Sequence, residues 1–416
     1  MQNLWCKFSY LSLVFVLNAC GQPQPVGEIN EIRPADLRSG TRFLPLSENA
    51  FTLPAISEIP ISVPSNADAI WGALGSDDNG NLYFGVSTHG GDQQTSYLYQ
   101  LNPVNNQITL QGDTLSQLKK SGLYRDGMGQ NKLHSKIYQA DDGYLYFSSF
   151  DEEGESEGIN PIWGGHLWRK LPQSRDWHHV LATEEALIAI NTNGRYIYAL
   201  GYWDHMLYQY DTQNANVNRV KVGSVATHVS RNLLVDHDGH VYVPSISQND
   251  FNQITVQLNE YDTHLNLVDS YPMPSYQHKN ISRHHGIVGY TSMANQHIFF
   301  TTGEGGLYEL NPFAEKQEKL VFRGNIHPNG QSYAPSLFTF EGRNFLVSMA
   351  RATNSKQFDW VIYELLTDTS VIYPTNLSTQ KRLLYGSLTK DNKGNLYLGG
   401  RLASDSNTPI LVKLTF

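Results

Sequence analysis

Cysteine is nearly missing: two residues in 416, Cys6 and Cys20, both within the first twenty. Beyond position 20 the chain therefore offers no disulfide, no thiol nucleophile and no Cys-ligated metal. Charge is also sparse. Asp, Glu, Lys and Arg make up 17% of the residues, with a formal net charge of −9. Phosphate recognition needs clustered Lys and Arg, so this balance argues against a nucleic-acid partner. A polyanionic ligand requires a local basic patch that outweighs the global charge. No P-loop string occurs. The apolar run 8–17 is too short to cross a bilayer.

What the chain does have is a repeat. The stretch His134 to Ser149, HSKIYQADDGYLYFSS, reads as strand, Asp-Asp-Gly turn, strand. The same module returns around Gly80, Gly194, Gly239, Asn295, Gly342 and Gly394. Successive turns (80, 143, 194, 239, 295, 342, 394) are 63, 51, 45, 56, 47 and 52 residues apart. A period near 50 with several strands per unit predicts an all-β fold, a seven-bladed β-propeller. The last blade shows three strands before the chain stops, so a strand from residues 51–63 is expected to complete it and close the ring.

The N-terminal segment 1–19 reads as a signal peptide, ending in Leu17-Asn18-Ala19-Cys20-Gly21. This resembles a bacterial lipobox with Cys20 as the lipidated residue. It implies the cell envelope, at the outer membrane, or a secreted protein, touching the membrane through its lipid alone. Residues 20–65 hold seven of the chain's 18 prolines and read as a tether that runs into the closing strand. Residues 66–416 form the propeller, expected to act as a monomer.

In a propeller, equivalent positions of each blade's first strand face one axial funnel. Nine residues before each turn stand Trp71, His134, Glu185, Ser230, Gly286, Tyr333 and Tyr385, with Arg231 and His285 one place to either side. A purely structural axis would be small or apolar there. Aromatic, titratable and cationic residues make a polar binding mouth instead. His134 and His166 belong to one blade and suit acid–base work if they share a cleft. Arg231 can grip a carboxylate or sulfate, or equally tie two blades together. Tyr202 and Tyr290 can donate a proton or stack on a sugar. Lys136, His285, Tyr290, Tyr333, Tyr385 and Arg401 are candidate substrate-binding residues. The pair His284-His285 makes a poor metal site, because neighbouring strand residues point to opposite faces. The acidic insertion 151–160 reads as a solvated loop.

The strings His134-Ser-Lys, Asp142-Gly-Tyr-Leu-Tyr-Phe, Gly164-Gly-His166-Leu-Trp, His228-Val-Ser-Arg231-Asn and His285-Gly-Ile-Val-Gly-Tyr290 resemble the seven-bladed polysaccharide lyases. The ulvan lyases of families twenty-four and twenty-five are the nearest in pattern. The resemblance implies β-elimination at a uronic acid of an anionic algal polysaccharide. It implies His134 as principal acid or base, His166 as its neighbour, Tyr202 as proton partner and Arg231 as neutraliser of the carboxylate. The acidic insertion lengthens the His134–His166 interval, and Tyr208 and Tyr210 compete with Tyr202 for its role. The Cys-ligated zinc associated with some members has no ligand in the mature chain. No metal ligand set and no cofactor is expected, beyond room for a structural divalent cation.

Elimination fits the residues on physical grounds as well. Removing the proton alpha to a carboxylate builds negative charge, which an Arg in a partly dry cleft stabilises far better than water does. Two other readings share the same repeat. One is a non-catalytic propeller lipoprotein, an envelope scaffold or glycan-binding module. The other is an oligogalacturonate-type lyase, which relies on metal-ligating histidines that the sequence does not assemble.

Overall fold

The computed structural model describes residues 53–89, 94–153, 161–202, 204–224, 230–249, 253–274, 276, 286–340, 342–378, 382–403 and 407–416. Cys20, the signal segment, His228, His284 and His285 lie outside the described residues.

Seven antiparallel sheets form, each with a path of four strands, and two of them carry an extra short inner piece. Together they are a seven-bladed β-propeller. Blade one runs from Ala67–Ala69 and Leu74–Ser76 through Leu82–Thr88 and Tyr97–Asn102 to Gln107–Asp113. Blade two comprises Tyr138–Gln139, Leu145–Phe150, Gly165–Lys170 and His178–Thr183. Blades three, four and five open with Leu187–Thr192, Leu234–Val235 and Ile287–Ser292. Blade six opens with Ser332–Tyr333 and Phe338–Thr339, and blade seven with Arg382–Gly386.

The hairpin turns explain why the repeat was visible. Gly80, Gly143, Gly194, Gly239, Gly342 and Gly394 all have φ between 67° and 100°, a region that favours glycine. In blade five the left-handed residue is Gln296 (φ 65°), one place after the Asn295 expected from the pattern. An aspartate locks several of these turns. Asp77, Asp236 and Asp391 each accept from a turn amide and from the hydroxyl of Tyr83, Tyr242 or Tyr397, at 2.8–3.1 Å. Each such buried bond contributes about 1 kcal/mol.

Apolar side chains alternate along the strands and pack between blades. Seven hydrophobic clusters form among the described residues, one for each neighbouring pair of blades. Tyr146, Leu187 and Ile197 join blades two and three, for instance, while Phe345, Leu396 and Val412 join six and seven. The ring closes as the terminal strands suggested. Ala55–Ile59 pairs antiparallel with Thr408–Thr415, Ala55 opposite Thr415 and Ile59 opposite Leu411, as the outermost strand of blade seven. This strand belongs to the propeller sheet rather than to the tether.

Candidate active site

The segment 134–137 leads into the short inner strand Tyr138–Gln139 of blade two. His134 and Lys136 line one narrow axial cavity of about 10 Å³ together with Trp71, Arg231 and Tyr385. Two residues further on, Tyr138 lines a second, larger cavity of about 570 Å³, which Lys136 also reaches. The cavity around Trp71 is the near mouth and the cavity around Tyr138 the far mouth.

Trp71 is the centre of the near mouth. Its ring lies 4.3 Å from that of Tyr385 and 5.2 Å from that of His134. The guanidinium of Arg401 sits 4.9 Å from the Trp71 ring, and that of Arg231 sits 5.8 Å from both Trp71 and Tyr385. The indole Nε1 of Trp71 is buried with no hydrogen-bond partner among the described residues. Left-handed glycines follow two of these aromatics. A Cβ on Gly386 would stand 2.0 Å from the Pro335 carbonyl oxygen, and one on Gly72 3.3 Å from that of Tyr385. Only glycine allows the neighbouring inner strands to converge this closely.

The cations differ in their partners. Arg401 donates to Asp68 Oδ1 at 3.0 Å, and Lys132 pairs with Glu152 at 2.5 Å while lying 5.4 Å from the Trp71 ring. Arg231 makes no ion pair or hydrogen bond among the described residues, and its contacts there are the rings of Trp71 and Tyr385. A planar cation held against aromatic faces without a carboxylate is free to take one from a ligand. Burial pushes the Tyr385 phenol up to about 12, against the pull of Arg401 and Arg231. Burial likewise raises Tyr333, with Arg231 and Arg351 pulling it back.

Tyr333 leads into a neighbouring cleft of about 500 Å³ over blade six, where Arg351, Gln331, Glu304 and Thr353 face it. Arg351 stands opposite Tyr333 in the sheet register and has no ion-pair partner among the described residues. Sequence reasoning missed Arg351, Lys132 and Asp68. They sit away from the hairpin turns, so the repeat did not mark them.

Other expected site residues lie elsewhere. His166 is not brought to His134. It sits on Gly165–Lys170, two strands out from the axis in blade two, beside Trp168. Its Nδ1 is 2.9 Å from His179 Nε2. Burial, then His179, holds its pKa down at about 3. Tyr202 is one ring removed from the mouth. Phe150 stands between, 4.9 Å from His134 and 6.4 Å from Tyr202. Tyr290 lines the far mouth, and Lys136 reaches both mouths. Glu185 turns into blade three and accepts from the Met206 amide at 3.2 Å. Gly286 carries no side chain and packs on Ser230. The string Gly154-Glu-Ser-Glu-Gly158 has the letters of a nucleophile elbow but lies in the acidic insertion, outside the described residues. Among the described residues no three His, Cys, Asp or Glu side chains gather as a metal site, and no helix is long and apolar enough to cross a membrane.

No family model matches the chain, and no curated protein does. Solved structures do. YCF48 bound to a D1 peptide aligns over 90% of this chain and 98% of its own, at 10% identity and a TM-score of 0.52. An ulvan lyase of polysaccharide lyase family PL25 aligns over 83% and 94%, at 10% identity and a TM-score of 0.44. The hydrazine synthase of Kuenenia stuttgartiensis aligns over 82% and 96%, at 11% identity and a TM-score of 0.48. Likeness at such identity concerns the fold. Function has to be argued from the site.

Proposed function

We propose that the protein is a polysaccharide lyase that cleaves a uronate-containing glycan by β-elimination in the near mouth, with ulvan as the first substrate to test. The observation that carries this reading is the unpaired Arg231 guanidinium, held against Trp71 and Tyr385 beside His134. A uronate carboxylate on Arg231 would place the sugar ring over Trp71. His134 then takes the proton from the carbon alpha to the carboxylate. Negative charge gathers on the carboxylate, where Arg231 stabilises it. The double bond forms as the glycosidic bond breaks, and the Tyr385 hydroxyl protonates the departing oxygen. The Tyr385 ring lies 4.3 Å from that of Trp71, and its raised pKa keeps it protonated at neutral pH. The cleft with Tyr333 and Arg351 continues from the mouth and suits further residues of an anionic chain.

The lipid anchor at Cys20 and an outer-membrane location belong to the same proposal, and rest on the lipobox-like string alone. A second reading, a glycan-binding module without catalysis, is favoured by the placement of His166, which leaves His134 as the histidine of the mouth among the described residues. Appearance of unsaturated uronide on mixing protein and polymer separates the two. Binding without it supports the module.

A further inference from the structure

The far mouth shares Lys136 with the site just described but has its own lining and chemistry. Tyr138 of blade two and Tyr290 of blade five meet hydroxyl to hydroxyl across the axis. Lys136 lies beside this bridge, its ammonium 5.2 Å from the Tyr290 ring. The residue is 7% exposed, yet among the described residues it makes neither a hydrogen bond nor an ion pair. An ammonium enclosed this far with no counter-charge beside it is costly, and burial of the residue accordingly holds its pKa down at about 8. The other ionisable groups here do not satisfy it. Asp77 is engaged by Asn81 and Tyr83. Asp78 is exposed at the rim. Lys390 donates to the Thr339 carbonyl oxygen at 2.5 Å. Hydroxyl and amide side chains, among them Thr389, Thr192 and Asn191, line the remaining wall, with Leu388 and Val235 as apolar patches.

We propose that the far mouth is a binding site for a small hydroxylated carboxylate, a sugar acid, with its anion on Lys136 Nζ and its hydroxyls on the polar wall. The cavity, about 570 Å³, has room for a monosaccharide. The carboxylate supplies the missing counter-charge, and the apolar patches take a face of the ring. This site requires no elimination chemistry and stands or falls separately from the near mouth.

The test uses D-glucuronate as probe in calorimetric titrations of the full chain carrying Arg231→Ala, which removes the unpaired guanidinium of the near mouth. A saturable site is expected there, with D-glucose binding at least tenfold more weakly. Adding Lys136→Met, or Leu388→Trp to fill the cavity, should weaken glucuronate at least tenfold. Should the lysine variant fail to fold, the Leu388 variant decides. No saturable binding in the Arg231→Ala protein overturns the proposal. So does binding that survives Leu388→Trp, or glucose binding as tightly as glucuronate.

Discussion

Tyr138 and Tyr290 are hydrogen-bonded hydroxyl to hydroxyl across the propeller axis, tying the inner strand of blade two to that of blade five. Neighbouring blades are already joined by their apolar clusters, but these two strands are three blades apart. The bridge therefore links the ring across its axis beside Lys136.

Removing either hydroxyl should show this directly. Tyr138→Phe and Tyr290→Phe are each expected to cost about 1 kcal/mol in urea unfolding. The double variant should cost little more than either alone, since one bond is lost in all three. Additive losses would mean that the bridge contributes nothing.

The closing strand makes a second prediction. Deleting residues 1–60 removes the partner of Thr408–Thr415 and the bond from Arg382 Nε to Glu58 Oε1 at 2.6 Å. An open sheet edge then faces solvent. The truncated chain should melt at lower temperature and self-associate in light scattering. By contrast, Glu58→Lys should cost less than about 1 kcal/mol, as the pair is at the surface.

Glu185 gives a prediction in pH. Burial pushes its carboxyl up to about 7, from an ordinary value near 4.5. Between those values the folded chain holds a proton that the unfolded chain has lost. Its contribution is therefore fully present below pH 4.5 and is lost as pH rises through 7. Urea titrations at pH 4.5 and 8 should show wild type losing on the order of 3 kcal/mol relative to Glu185→Gln over that window. An identical pH dependence in the two proteins would contradict the assignment.

Much of this architecture was legible in the sequence, for a physical reason. A tight hairpin needs a left-handed residue, and six of seven turns use glycine, so the repeat stood out. Counting back from those turns reached Tyr333 and Tyr385 because each lies on an innermost strand, and Trp71 and His134 because each lies in the segment that leads into one, with Arg231 one place off. His166 was misjudged because strand order within a blade is not written in spacing. Its Gly-Gly-His string opens the third strand of its blade, which packs outward on Trp168 and His179. Arg351 was invisible because it is aligned with the mouth by cross-strand pairing with Tyr333, a relation between residues 18 apart.

The roles of Arg351 and His166 should separate in kinetics. Arg351→Ala, in the flanking cleft, should raise KM about tenfold on a polymer and leave kcat within about twofold. His166→Gln should leave kcat/KM within about threefold while lowering the melting temperature. A hundredfold fall in kcat with His166→Gln would place it in the chemistry after all.

The account's central claim is that Arg231 and His134 perform elimination at a uronate. The most direct measurement mixes the purified chain with ulvan and a panel of uronate polymers, following the ultraviolet absorbance of the 4,5-unsaturated uronide. Wild type should produce it on at least one polymer. Arg231→Ala and His134→Ala should each lower the rate by about 10²–10³ with folding unchanged by circular dichroism. No absorbance rise on any polymer, or a rise that both variants retain, would contradict the claim.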